Sequence, residues 1–96
     1  MLYLIDITFT KSLDEINLIL DEHRAYLRSF LSDNGLLLAA GPKTPRTGGI
    51  LIAKGDRAEI NAFIQNDPYN LHGLADYKVT AFDPITRQEF LSQWYI

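Results

Sequence analysis

Two ionisable residues stand where helical patterns call for apolar ones. Leu13, Ile16, Leu20, Leu27 and Phe30 recur in steps that keep them on one face of a helix, and His23 fills the place between Leu20 and Leu27. A second stripe, Ile60, Phe63 and Ile64, meets Asp67 at its next position, where Pro68 closes the helix. Buried polar groups are costly unless they meet a partner. A carboxylate that accepts an imidazole Nδ1–H fixes the tautomer and leaves Nε2 to exchange protons near neutral pH, as in general acid–base catalysis. Each residue also has a plainer reading. His23 could be a satisfied core histidine, and Asp67 a helix-end carboxylate facing water.

Other side chains could serve the same site. Asp6 and Thr8 from the first strand, with Tyr69 and His72 from the segment PYNLHG, are candidates to line a substrate pocket. Lys43 and Arg46, in the loop GPKTPRTGG, could hold an anionic substrate. That loop is not a phosphate loop, because it lacks GxxxxGK[ST] and joins strand to strand. Only two histidines, no cysteine and no H-x-x-x-H spacing leave no metal site to expect, and no cofactor is implied. Ser12 is committed to a helix cap, so a Ser-His-Asp triad lacks its nucleophile.

Bulk properties narrow the partners. The 96 residues form one expected domain, a plait over residues 1–83 and a docking tail over 84–96, and 47% hydrophobic content supports a true core. A net charge of −3 offers no electrostatic basis for nucleic-acid or acidic-membrane binding. The opening MLYLID has neither a basic region nor a long apolar run, so a cytoplasmic location is expected, with a small molecule as ligand.

The elements that must carry these residues read in order. Residues 2–9 form a β-branched and aromatic strand whose faces are Leu2, Leu4, Asp6, Thr8 and Tyr3, Ile5, Ile7, Phe9. Ser12 with Glu15 caps a helix reaching about residue 33, where Asn34-Gly35 supplies a left-handed stop. Residues 36–40 and 50–54 are two strands joined by the glycine-rich loop. Asp56 with Glu59 caps the second helix. PYNLHG is a loop or a single turn, and residues 76–82 alternate as a fourth strand. In the tail, Thr86 with Glu89 resembles a third cap, and Phe90, Leu91, Trp94 and Tyr95 share a helical face that should dock on something.

The order βαββαβ closes as an α+β, ferredoxin-like plait: a four-stranded antiparallel sheet with both helices on one face. Strands one to three carry apolar residues of both parities, so the open face also needs covering. A second copy, sheet against sheet, is the expected cover, and the tail within a monomer is the alternative.

These residues resemble a known family. DEHRAYL, GLLLAAGP, GGILIA and NDPYNLHGLADYKV look like the YciI-like (YCII-related) family of the dimeric α/β-barrel superfamily, over about residues 1–82. The resemblance implies a homodimer and an active site made of the helix-one histidine and the Asp-Pro-aromatic aspartate, here His23 and Asp67. It further implies acid–base chemistry without a cofactor, such as isomerisation, elimination or dehydrohalogenation of a small cyclic or aromatic metabolite. Two alternatives stand beside it: a dimeric binding module without chemistry, and an accessory subunit whose Trp94 and Tyr95 dock a larger enzyme.

Overall fold

Reciprocal caps start both long helices of the computed structural model, which describes residues 1–32 and 34–95. At the first, Glu15 N–H donates to Ser12 Oγ and Ser12 N–H to Glu15 Oε2, each at 3.3 Å. At the second, Glu59 N–H donates to Asp56 Oδ1 at 2.8 Å, and Asp56 N–H returns a bond to Glu59 Oε1 at 3.2 Å. The elements are β1 (Leu2–Phe9), α1 (Leu13–Arg28), β2 (Leu37–Pro42), β3 (Gly48–Lys54), α2 (Arg57–Gln65), α3 (Pro68–Leu71), β4 (Ala75–Phe82) and α4 (Glu89–Tyr95). No helix among the described residues is long and apolar enough to cross a membrane.

Helix α1 stops at Arg28, short of the expected end; residue 33 itself lies outside the described residues. Ser29 Oγ donates to Tyr26 O at 2.6 Å and draws the chain into a turn, after which Leu37 N–H donates to Phe30 O at 3.1 Å. The expected left-handed stop at Asn34-Gly35 is corrected: positive φ occurs at Gly55 and Gly73 among the described residues. Gly35 is needed for closeness instead, since a Cβ there would lie 2.1 Å from Phe30 O. Strand β3 begins earlier than its apolar run because Gly48 lets it press against β1, where a Cβ would lie 1.7 Å from Ile7 O.

The sheet order is β2-β3-β1-β4, and every neighbouring pair is antiparallel. This is the ferredoxin-like α+β plait, with α4 appended. Tyr3, Ile5 and Ile7 of β1, with Leu37, Leu51 and Ala53, form one core with Ile60 and Phe63 of α2. A second, smaller cluster joins Ile16 of α1 to Tyr69 and Leu74. Fully burying one aliphatic chain such as Ile5 contributes about 1.5–3 kcal/mol.

The opposite face carries Leu2, Leu4, Asp6 and Thr8 of β1, with Lys54, Ile52 and Ile50 as their neighbours on β3. Helix α4 reaches one end of it. Lys54 Nζ donates to Trp94 O at 2.5 Å and lies 4.8 Å from the Trp94 ring centroid. Leu2, at that end, is buried, whereas Leu4, Ile50 and Ile52 are half-buried and Thr8 is exposed. The tail therefore covers part of the face.

Candidate active site

Three elements converge on one carboxylate. Asp67 does not end α2, whose C-cap is Asn66; it is the N-cap of the single turn α3, with Pro68 at the first helical position. Its Oδ1 accepts the Tyr69 N–H at 3.1 Å as an ordinary cap. The same oxygen lies 2.7 Å from His23 Nδ1 of α1, and Oδ2 accepts the Tyr77 hydroxyl of β4 at 2.6 Å. Asp67 is fully buried and His23 is 8% exposed. An ionised carboxylate only accepts, so Nδ1 carries the proton in this bond and Nε2 is the nitrogen left for a ligand. The Tyr69 ring lies flat on the imidazole, 3.8 Å between centroids and 10° from parallel, and meets Phe9 edge-on. The imidazole is thus held in plane and in tautomer.

The phenols around the pair stay protonated. Burial, then the negative charge of Asp67, pushes the Tyr77 hydroxyl well above the ordinary phenol range. Burial and Asp67 also raise Tyr26, to about 12, while its hydroxyl donates to Phe63 O at 2.6 Å. Tyr69 is raised by burial against the opposing pull of the Arg46 guanidinium and, more weakly, of Arg24.

A cavity of about 370 Å³ opens between α1 and the β1–β3–β2 side of the sheet. That volume lies within the range of small-molecule sites. Ile7, Phe9 and Leu27 give it an apolar wall, and its polar side chains are His23, Arg24, Arg46 and Tyr69. Arg46 is fixed by its Nη1 bond to Asn17 Oδ1 at 2.7 Å and by the Phe9 ring, 5.8 Å below the guanidinium carbon.

The structure brings His23, Asp67, Tyr69 and Arg46 together and leaves four other candidates, Asp6, Thr8, Lys43 and His72, outside. Asp6 and Thr8 are corrected: strand parity sends Ile7 and Phe9 to the cavity and these two to the opposite face. There Asp6 Oδ1 and Lys43 Nζ form an ion pair 2.5 Å apart, and Lys43 also donates to Thr8 Oγ1 at 3.4 Å. His72 is corrected as well, being the exposed C-cap residue of α3 and outside the cavity wall. Arg24 and Tyr77 were not legible as site residues. Arg24 reads as a cation compensating the helix dipole. Tyr77 reads as one more aromatic on a strand, although its buried hydroxyl required an acceptor.

The plait and its buried His-Asp pair define a class. The YCII-related domain matches residues 1–83, and the chain belongs to that family. No curated protein matches it. Among solved structures, it is similar to 5-chloro-2-hydroxyhydroquinone dehydrochlorinase (TftG) from Burkholderia phenoliruptrix AC1100, in complex with 2,5-dihydroxybenzoquinone. The two are 25% identical with a TM-score of 0.75, over 86% of this chain and 94% of the other.

Proposed function

We propose that this protein is a small, cofactor-independent enzyme that performs acid–base chemistry on a small cyclic or aromatic metabolite. His23 is its proton-exchanging residue and Asp67 orients it. The observation that carries this reading is the 2.7 Å contact from Nδ1 to a fully buried carboxylate, made beside a cavity of ligand size. Likeness to a dehydrochlorinase bound to a dihydroxyquinone supports a ring substrate. In an elimination, Nε2 takes the proton, the C–H pair becomes the new π bond, and the leaving group departs with its own bonding pair. In an isomerisation, Nε2 returns the proton to a different atom. Tyr69 belongs to the substrate-binding wall.

A homodimer through the open sheet face belongs to the same proposal, in a cytoplasmic setting. Leu4, Ile50 and Ile52 supply the apolar patch that a second sheet would cover. Wild type, His23→Ala and His23→Gln assayed against lactones and hydroxyquinones test the enzyme. Turnover should fall by about 10²-fold or more in both variants. Equal turnover in all three proteins ends the reading.

A further inference from the structure

The carboxylate that orients the imidazole is itself held from the sheet. Tyr77 of β4 stands opposite Ile7 of β1, so its ring leaves the sheet on the helix side, as Ile7 does. There it packs on the main core, and its hydroxyl donates to Asp67 Oδ2 at 2.6 Å. Oδ1 is engaged by His23 Nδ1 at 2.7 Å and by the Tyr69 N–H at 3.1 Å. Among the described residues, Tyr77 is the one donor to Oδ2. Asp67 is fully buried, so solvent does not stand in for that bond. Burial keeps the phenol protonated and therefore a donor. Tyr77 lies outside the cavity wall, and any effect it has on the imidazole runs through Asp67.

Two donors on one carboxylate share its charge. The more the phenol draws to Oδ2, the less Oδ1 offers the Nδ1 proton. Bonds at both oxygens also stop the carboxylate from turning about its Cβ–Cγ bond. We infer that Tyr77 is a positioning residue for the His23–Asp67 pair, fixing the carboxylate plane from the sheet and limiting the pull of Asp67 on the Nδ1 proton. As a statement about the reaction, this rests on the reading of His23 as the proton-exchanging residue. A group that must both take and return a proton works best when its partner's pull is moderate.

Proton NMR of the ligand-free, full-length protein tests it at the His23 Nδ1–H, a signal assigned by its loss in His23→Gln. In Tyr77→Phe that proton should move downfield, because Oδ1 regains charge and its bond to Nδ1 tightens. 3-Fluorotyrosine placed at position 77, a stronger donor of nearly the same shape, should move it upfield. Tyr26→Phe is the control. The Tyr26 hydroxyl donates to Phe63 O and not to Asp67, so its loss should leave the signal in place. Opposite shifts at position 77 with Tyr26→Phe silent support the inference. Every other pattern overturns it, absence of a slowly exchanging Nδ1–H in the unmodified protein included. If Tyr77→Phe does not fold, the fluorinated protein decides alone: an upfield shift supports the inference and any other result overturns it. These spectra need no substrate. An unmoved signal with His23-dependent turnover sinks this inference alone, whereas turnover indifferent to His23 with the two shifts in place sinks only the acid–base proposal.

Discussion

Each face of the sheet holds one aspartate paired with a nitrogen, and the two pairs differ in everything except distance. Asp67 lies 2.7 Å from His23 Nδ1 and Asp6 2.5 Å from Lys43 Nζ. Asp67 is fully buried and takes two further donors, whereas the Asp6 side chain is 37% exposed and water competes for it. Separation alone therefore ranks them wrongly. Desolvation and the number of donors decide which pair shapes the molecule.

Removing the buried carboxylate gives the sharpest contrast. Asp67→Ala strands the imidazole N–H, the Tyr69 N–H and the Tyr77 hydroxyl in an apolar setting. It should cost about 3–5 kcal/mol in urea unfolding, and a loss below about 1 kcal/mol would make the two pairs equivalent. Tyr77→Phe leaves Oδ2 without its donor and should cost about 1–2 kcal/mol in the same measurement.

Tyr26 refines the contrast through pH. Its hydroxyl is raised from 10.0 to about 12 in the folded protein, so the folded state holds that proton more tightly than the unfolded chain. The stability it contributes is complete below pH 10 and is lost as pH rises through about 12. Tyr26→Phe should therefore melt with a shallower alkaline decline between these limits. Parallel melting curves for the two proteins would contradict this. At the small end, Asp6→Asn should change stability by less than about 1 kcal/mol, and by less still in high salt.

How much of this could be read in the residues follows from the same contrast. The helical stripe made His23 conspicuous, because an imidazole among leucines has no bland surface explanation. Asp67 stood out because Pro68 fixed where the helix had to end. The strand pattern separated Asp6 and Thr8 from Ile7 and Phe9, yet which face would meet the cavity depended on where the helices packed. The length of α1 was overestimated because apolar residues continue through Phe30 and Leu31, while Ser29 turns the backbone through a local bond. Arg24 and Tyr77 were hidden by their ordinariness, a cation on a helix and an aromatic on a strand. The β-α-β-β-α-β order was legible throughout, since caps, glycines and prolines mark nearly every boundary.

A single proline, Pro68, separates the carboxylate beside the imidazole from the phenol ring lying flat on it. This three-residue span works as a fixed gauge: one inserted residue would swing Tyr69 about 100° around its turn and pull the stack apart. The GPKTPRTGG stretch is constrained differently: Gly48 must stay bare where it presses on Ile7, and Arg46 reaches the cavity while making none of the carboxylate's hydrogen bonds. Under the proposed function, changes between Lys43 and Thr47 would alter what the cavity admits while His23, Asp67 and Tyr77 keep their bonds. A scaffold divided in this way would vary its ligand without disturbing the supports of the imidazole.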